Sequence, residues 1–472
     1  MDAILYWNDV ALEANRVSHT NGKNEQTGPP LSARALAIVH LAMYDAYAGV
    51  PGTPPLTPYL GLGPAKAGSS IEAAVAAAAH TTLTALFPSQ KAFFDLRRAL
   101  APMAGSAVAR TDGTAYGTTV AQAILADRAG DPDAGAEGYV GSTAHGHHRV
   151  DPDNPGQSIH APFFGARCSA FAVTARWGLD APPQPGTLEY RAALREVRGK
   201  GVAPQLAGMV PATMPRRTAE ETIIGTFWGY DGAKELGTPP RLYNQIIRQL
   251  AALQGNTIDK NARLFALVNV AMADAGILAW EQKYVHDLWR PVLGIREHDK
   301  SMGPAGTPNN NVSNNCDPDW LPAGAPSSNT RKAATDPVVK NFTPPFPAYP
   351  SGHATFGAAA FHIARLFYGE TGHGPDTLFG TEAVVSDELN GVTTDNLGTV
   401  RPRHTRDFPQ GLWQMIMENS IGRLYLGVHW IFDGFVRDAG GGIDLTRNIG
   451  GVPLGIAIAE DIFNDGMHPS AV

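Results

Sequence analysis

The sequence predicts a mostly α-helical protein, on two main observations. Apolar residues recur at helical spacing in many segments; in 31–48 the face they form consists of Leu36, Val39, Met43 and Tyr47, together with His40. Runs that alternate apolar and polar residues are scarce, and no Asn-Gly pair lies between two such runs. The 472 residues are 43% hydrophobic and 17% charged, which excludes a disordered chain and allows a sizeable core.

The predicted helices follow one another along the chain and are interrupted by two long loops. They span 2–18, 31–48, 70–87, 89–103, 107–129, 187–198, 217–230, 239–254, 260–290, 352–369, 408–426 and 430–440. The loops, 130–186 and 298–350, are rich in glycine and proline. Loops of this length are usually functional or disordered.

Charge and composition exclude several function classes. The net charge is -7 and no Lys- or Arg-rich block is present, so nucleic acid is not expected as a partner. Cys168 and Cys316 are expected to be free thiols. The apolar stretch 71–87 is too short and too polar at its centre to span a membrane, and no signal peptide is visible. Secretion and a cytoplasmic location both stay open.

A first candidate motif is Lys283-Tyr-Val-His-Asp-Leu-Trp-Arg290-Pro291. Seven residues make two helical turns, so Lys283 and Arg290 are predicted to share one helix face and converge on one anion. Pro291 would end or kink the helix just after Arg290. The alternative is an ordinary pair of solvated surface charges.

A second motif is Pro350-Ser351-Gly352-His353, ahead of an apolar helical segment. Ser351 is predicted to cap the helix, and Gly352 allows backbone to approach a ligand. The free N–H groups and the helix dipole would then attract an anion, with His353 in the first turn. The alternative is a plain helix cap followed by a buried histidine.

A third motif is Arg423-Leu-Tyr-Leu-Gly427-Val-His429-Trp-Ile-Phe-Asp433. Arg423 and His429 can meet only if the helix ends between them, and Gly427 is the natural stop. His429 would then open the next helix, where Asp433 or a nearby carbonyl could hold its imidazole in one tautomer. The alternative is a helix–turn–helix corner with a local His–Asp pair.

Together the motifs supply three cations, a set of backbone N–H groups and two histidines. This set fits a tetrahedral oxyanion that becomes trigonal bipyramidal: the cations and N–H groups neutralise equatorial oxygens, one histidine bonds the central atom, and the other moves protons at the opposite apex. No phosphate-binding GxxxxGK[ST] loop or HExxH zinc helix competes for this role.

The order K-x6-RP, PSGH, R-x5-H-x3-D resembles the signature of the type 2 phosphatidic acid phosphatase superfamily. That superfamily includes acid phosphatases and vanadium-dependent haloperoxidases. The chain is also similar to the fungal vanadium chloroperoxidases over almost its whole length. Stretches that carry this similarity are YWNDVALEANRVSHT, TGPPLSARALAIVHLAMYDAY, ARLFALVNVAMADAGILAW, PPFPAYPSGHATFG and IGGVPLGIAIAEDIFNDG.

The resemblance implies two four-helix bundles in one compact unit, an N-terminal bundle and long loop over 1–215 and a C-terminal bundle over 216–472. The second bundle would hold vanadate, as V(V), and no haem is implied. His429 would coordinate vanadium, backed by Asp433, and His353 would be the acid–base residue. The residues implied to bind the vanadate oxygens are Lys283, Arg290, Ser351, Gly352 and Arg423. Lys283 would also polarise bound peroxide for attack by halide.

Further positions matched to the family concern halide choice and support of the site. Phe346 and Trp280 match apolar residues beside the chloroperoxidase site, and a histidine in place of Phe346 is typical of algal bromoperoxidases. Asp231 matches an acidic residue that pairs with an active-site arginine. Gly422 departs from the signature, which usually has serine before the arginine, and this leaves the support of Arg423 in question.

The remaining histidines receive structural interpretations. Those on helix faces are expected in the core or at its rim: His40, His80 and His362. Those in the first long loop are expected to be structural or exposed to solvent rather than metal ligands: His145, His147 and His148.

The resemblance therefore predicts a vanadate-dependent haloperoxidase that uses hydrogen peroxide with chloride or bromide to make hypohalous acid. An acid phosphatase stays open, with a phosphohistidine at His429 and His353 protonating the leaving alcohol. So does a non-catalytic protein that binds phosphate or vanadate, although binding alone needs neither histidine. The preferred halide, any organic substrate, and the choice between monomer and homodimer are not determined by the sequence.

Overall fold

The computed structural model describes residues 2–304, 306, 315–331 and 341–472, and helices make up almost all of their regular structure. The α-helices are α1 (Ala3–Ser18), α2 (Pro29–Ala48), α3 (Ile71–Leu86), α4 (Lys91–Leu100), α5 (Ala107–Asp127), α6 (Phe164–Arg167), α7 (Leu188–Lys200), α8 (Ala219–Phe227), α9 (Pro239–Leu253), α10 (Ile258–His286), α11 (Pro291–Arg296), α12 (Gly352–Phe367), α13 (Gly411–Tyr425), α14 (Ile431–Gly434) and α15 (Gly451–Asp465). Short 3-10 helices span Pro88–Gln90, Pro204–Met209 and Asp387–Leu389. Strands β1 (Ala383–Val384) and β2 (Arg406–Asp407) pair antiparallel, with Ala383 opposite Asp407.

The predicted all-α fold is confirmed, with two predicted helices to correct and one helix that was not predicted. The helix predicted over 260–290 ends at His286, and the one predicted over 430–440 is only Ile431–Gly434. The sequence analysis did not predict α15, whose segment begins with two glycines and has Pro453 in its first turn. Proline is tolerated there because the first N–H groups of a helix have no intrahelical acceptor.

The helices share one hydrophobic core. Helix α2 packs against α3, α5 and α10; α10 also packs against α12, and α12 packs against α13 and α15. Buried apolar side chains from almost the whole length of the chain, from Ile4 to Met467, form one cluster in contact. By length and composition α10 could cross a membrane, but 94% of its most apolar window is buried inside the protein. It is therefore the central helix of this arrangement.

Glycines let α15 lie directly against the first turns of α12. A Cβ on Gly451 would lie 2.5 Å from the Ser351 carbonyl oxygen, and a Cβ on Gly455 would overlap the Thr355 carbonyl. Only a residue without a side chain allows this approach of two backbones. Helix α15 thus fixes the N-terminus of α12, where the second sequence motif lies.

Candidate active site

Lys283 and Arg290 reach the same place from two different elements, so the prediction that they share one helix face is wrong. Helix α10 ends at His286 because Asp287 takes a left-handed conformation with φ 48°, and Arg290 is the N-cap of α11. Both cations lie against the ring of Phe346. Lys283 Nζ is 5.2 Å and Arg290 Cζ is 5.0 Å from its centroid.

The ammonium of Lys283 is fully buried and donates to the backbone that leads into α12. Its acceptors are the carbonyls of Pro347 at 2.9 Å, Ala348 at 3.2 Å and Pro350. Burial, and secondly the charge of Arg290, lower the pKa of Lys283 well below its usual value. In this structure Lys283 therefore holds the 347–350 segment in place, and binding an oxyanion would require it to exchange one of these bonds.

Arg290 is buried and has one free donor. Its Nε donates to the Phe346 carbonyl at 2.9 Å, and its Nη1 contacts the Val428 carbonyl at 2.8 Å and His429 Nε2 at 2.9 Å. Its Nη2 is buried with no hydrogen-bond partner. Burial lowers the pKa of Arg290 to about 9.

Arg423, near the end of α13, forms a bidentate pair with Asp231. Nη1 and Nη2 donate to the two carboxylate oxygens at 2.6 and 3.0 Å, and Nε is buried without a partner. A Cβ on Gly422 would lie 3.4 Å from the Ile224 carbonyl oxygen, in ordinary contact. The ion pair, rather than a hydroxyl at position 422, is thus what holds Arg423 here.

The turn at Gly427 places His429 beside Arg290. Gly427 has φ +72° and donates to the Leu424 carbonyl at 2.8 Å, and Val428 donates to the Arg423 carbonyl at 3.2 Å. This is the Schellman pattern that ends a helix. The prediction that His429 opens the next helix is wrong. His429 lies two residues before Ile431, the first residue of α14.

The partners of His429 determine its tautomer. Nδ1 lies 2.8 Å from Asp433 Oδ2, and Nε2 lies 2.9 Å from the guanidinium of Arg290. A carboxylate accepts and a guanidinium donates, so Nδ1 carries the proton and Nε2 carries the lone pair. This is the arrangement in which an imidazole ligates a metal through Nε2.

Helix α12 begins with the predicted cap and presents His353 in its first turn. Ser351 Oγ accepts from the Ala354 N–H at 3.4 Å. The Tyr230 carbonyl lies 3.0 Å from His353 Nε2, which therefore carries the proton and leaves a lone pair on Nδ1 of the neutral ring. Burial, and secondly the charge of Arg423, lower the pKa of His353 well below its usual value.

Two residues that sequence reasoning missed hold His353. Tyr230 accepts from its ring, and Asn419 donates from Nδ2 to its carbonyl at 2.6 Å. Asn419 lies one helical turn before Arg423 on α13. This spacing from a predicted site residue could have indicated that Asn419 also lies near the site. Tyr230 offers only its backbone carbonyl, which the sequence cannot reveal.

Apolar rings and a glycine line the start of α12. A Cβ on Gly352 would lie 3.1 Å from a ring carbon of Trp280, so this position has little room for a side chain. The rings of Trp280 and Phe346 have centroids 4.8 Å apart. The N–H groups of Gly352 and His353, the first of the helix, have no intrahelical acceptor.

The charged groups and histidines occupy one buried site. The exposed fractions are 0% for Lys283, 1% for Arg290 and Arg423, 5% for His353 and 2% for His429. Burial, and after it the charges of all three cations, lowers the pKa of both His353 and His429. Buried cations with unpartnered donors, Arg290 Nη2 and Arg423 Nε, are costly without an anion. This donor set fits a tetrahedral oxyanion such as vanadate.

A second cluster, at the far end of α12, has the residue types of a cation site. It consists of His362, His373 and Glu460. His362 Nδ1 lies 3.0 Å from Arg365 Nη1, and His362 Nε2 lies 3.3 Å from Glu460 Oε1. Because guanidinium only donates, Nδ1 holds the lone pair and Nε2 the proton, which opposes metal binding through Nε2.

The other singled-out residues have the structural surroundings that were expected. His40 is buried and bonded to Leu36 and Asn8, and His80 contacts Asp95 at the surface. Cys168 and Cys316 are free and buried. In the first long loop His147 is exposed, but His148 is 1% exposed.

Comparison with known proteins shows the family to which this chain belongs. Residues 1–163 match the family model of the vanadium chloroperoxidase N-terminal domain, and residues 263–453 match that of the VCPO second helical-bundle domain. The vanadium chloroperoxidase of Curvularia inaequalis is 34% identical, with 99% of this chain and 90% of that protein aligned. The chain belongs to the vanadium chloroperoxidase family.

Solved structures share the fold. A bacterial vanadium-dependent iodoperoxidase superposes with a TM-score of 0.63 at 20% identity, covering 97% of this chain and 95% of that one. The apo form of a bacterial vanadium-dependent chloroperoxidase gives 0.60 at 15% identity, covering 93% and 96%. The two proteins share this fold and are named for different halides.

Proposed function

We propose that this chain is a vanadate-dependent haloperoxidase that oxidises chloride and bromide with hydrogen peroxide to hypohalous acid. The observation that carries the proposal is the convergence of three buried cations and two histidines, with free donors on Arg290 and Arg423, in a member of this family. Bound vanadate would supply a Lewis-acidic V(V) centre that activates peroxide, with no haem needed.

His429 is the proposed ligand of vanadium. Its Nδ1 is bonded to the Asp433 carboxylate, whereas its Nε2 contacts Arg290. The Nε2 lone pair would bind the metal in place of the contact with Arg290. Asp433 keeps the proton on Nδ1 throughout, so the ring stays neutral and correctly oriented.

The oxyanion oxygens are proposed to be held by donors from three elements. Arg290 contributes Nη2 and Arg423 contributes Nε, the two donors left unpartnered. Ser351 and the N–H of Gly352 contribute from the start of α12, where the helix dipole favours negative charge. A bound oxyanion would favour the protonated form of Lys283, whose charge then acts strongly in this water-poor surrounding.

His353 is proposed as the acid–base residue. Its pKa is lowered by burial and by Arg423, so the ring is neutral near pH 7 and its Nδ1 can accept a proton from hydrogen peroxide. The Tyr230 carbonyl holds the ring by Nε2 while Nδ1 takes and returns the proton. Phe346 and Trp280 would form the apolar side of the site, where the halide approaches.

The test is reconstitution of the full chain with orthovanadate, followed by halogenation of a phenolic dye with peroxide and bromide. We expect His429→Ala to abolish the activity and His353→Ala to lose most of it, while the exposed His468→Ala keeps it. Full vanadate-dependent activity in His429→Ala would contradict the ligand assignment.

The same oxyanion geometry suits phosphoryl transfer, so a phosphatase assay without vanadate is the necessary companion. We expect no turnover of phosphate monoesters comparable with halide oxidation. Phosphatase activity that depends on His429, in a protein that does not oxidise halide, would replace the proposal with the acid phosphatase alternative.

A further inference from the structure

The ring of His160, in the first long loop, packs against the two aromatic rings of the proposed halide side. Its centroid lies 6.5 Å from that of Trp280, with the rings nearly perpendicular, and 6.3 Å from that of Phe346. Trp280 is 1% exposed and Phe346 is 8% exposed, whereas His160 is half-buried. The three rings therefore form one cluster, in which His160 is the member most open to solvent.

Backbone hydrogen bonds hold His160 in this place. Its N–H donates to the Pro345 carbonyl at 2.9 Å, and its carbonyl accepts from the Tyr284 hydroxyl at 2.8 Å. Pro345 directly precedes Phe346, and Tyr284 directly follows Lys283. The first long loop is thus tied to both segments that carry the halide side, through main-chain groups of residue 160 that a change of its side chain would leave in place.

The neighbouring helix leaves room for a ring at position 160. A Cβ on Gly28, the N-cap of α2, would overlap Nε2 and Cε1 of His160, so a residue with a side chain at position 28 would displace the ring. Nε2 is buried and has no hydrogen-bond partner among the described residues. Packing, rather than a hydrogen bond at this nitrogen, therefore keeps the ring against Trp280 and Phe346.

His160 adds no charge to the halide side near pH 7. Burial, and secondly the charge of His19, lower the pKa of His160 to about 4. His19, the C-cap of α1, is the titratable neighbour across Gly28, and its Nε2 accepts the Gly28 N–H at 3.2 Å. A neutral ring in this position keeps the dielectric constant low beside Phe346, the ring that both Lys283 and Arg290 contact.

We infer that His160 is a further residue that determines halide selectivity: its ring covers the outer side of the Trp280–Phe346 pair and keeps water from the place where the halide approaches. The inference rests on the proposed function, which puts halide oxidation on this side. Chloride is harder to oxidise than bromide, so chloride turnover depends more on the field of the buried cations. Exclusion of water strengthens that field.

The test is to measure steady-state rates of the vanadate-loaded full chain with chloride and with bromide. We expect His160→Ala to lower chloride turnover about tenfold more than bromide turnover, because water entering the vacated space screens the cations. His160→Phe, which restores an uncharged ring, should recover most of the chloride turnover. The matched control is His147→Ala in the same loop, whose side chain is 49% exposed and which should keep the parent ratio of the two rates.

Two measurements separate selectivity from folding and from cofactor binding. Thermal unfolding checks that each variant is folded, and His160→Ser, which opens the same space, replaces His160→Ala if that variant does not fold. Calorimetric titration of the vanadate-free chains with orthovanadate should give parent-like affinity for His160→Ala. Equal losses for the two halides, no loss, or a loss explained by weaker orthovanadate binding overturns the inference and leaves the proposed function standing. A parent that oxidises neither halide overturns both.

Discussion

His429 Nδ1 lies 2.8 Å from Asp433 Oδ2, in a pair that is almost completely buried. The same carboxylate oxygen accepts the Trp430 N–H at 2.9 Å, and the Asp433 carbonyl accepts the Ser351 N–H at 2.8 Å. Asp433 therefore connects the imidazole proposed to bind vanadium with the N-cap of α12. One residue sets both the tautomer of His429 and its position relative to the backbone N–H groups.

Asp433→Asn should weaken orthovanadate binding by about 10–100-fold. The new amide can donate to Nδ1, which would move the ring proton to Nε2 and remove the lone pair that the metal needs. Calorimetric titration measures the effect, with Asp438→Asn in an exposed turn as the control. Parent-like affinity in Asp433→Asn would show that this carboxylate does not set the tautomer.

Gly427→Ala should destabilise the protein much more than Gly22→Ala. Both glycines are left-handed, with φ +72° and +71°, so each alanine costs about 1–2 kcal/mol in backbone strain. Only at Gly427 would the new Cβ overlap a backbone atom, the carbonyl oxygen of Gly201; at Gly22 it meets open space.

Thermal unfolding of the two glycine variants measures the difference. We also expect weaker orthovanadate binding in Gly427→Ala alone, because its turn carries His429. Equal melting temperatures for the two variants would mean that the chain relieves the overlap at no cost.

His40 should make the protein less stable in acid. Burial lowers its folded-state pKa to about 4, from an ordinary value of 6.5. Between these values the unfolded chain binds a proton that the folded chain does not, so stability falls as the pH is lowered, by up to about 1.4 kcal/mol per pH unit.

Urea unfolding at pH 7.5 and pH 4.5 tests the contribution of His40. The loss of stability between these pH values should be smaller in His40→Gln than in the parent. His468→Gln, at an exposed site, should lose as much as the parent. An identical loss in His40→Gln and the parent would rule out a buried neutral His40.

Phe346→His should reduce chloride turnover much more than bromide turnover. The Phe346 ring lies against both Lys283 and Arg290, and a histidine would bring water and a titrating group beside these charges. Chloride is harder to oxidise than bromide, so chloride turnover depends more on the full electrostatic field of Lys283 and Arg290. The control is Phe346→Leu, which stays apolar and should affect the two halides more equally.

Steady-state rates with each halide between about pH 4 and 8, a range that spans a histidine titration, measure this selectivity. Equal losses for chloride and bromide across the range would show that Phe346 does not determine halide choice. The oxyanion site proposed above would be unaffected by that result.

The features that local rules control were predictable from the sequence. Gly427 ends α13 and Ser351 caps α12, because a left-handed glycine and a serine N-cap act within one helical turn. The all-α fold followed from periodicity that extends over whole helices. Helix α15 was missed because its glycines, needed for contact with α12, have low helix propensity.

Contacts between distant segments were not predictable in the same way. Lys283 and Arg290 were expected to converge along one helix, but they converge across a break at Asp287, on a ring 56 residues after Arg290 in the chain. The burial of His148 depends on a ladder between the first long loop and the segment after α10. Neither arrangement has a local signature in the sequence.

The sequence by itself therefore determined most of the helices, the turn before His429 and the set of residues proposed to bind the oxyanion. Tertiary structure decided which nitrogen of His429 and of His353 holds a lone pair, and which donors of Arg290 and Arg423 are free. The physical reason is that caps and turns are set by neighbours within a few residues, whereas tautomers, burial and unpaired donors are set by whatever packs against a side chain from elsewhere.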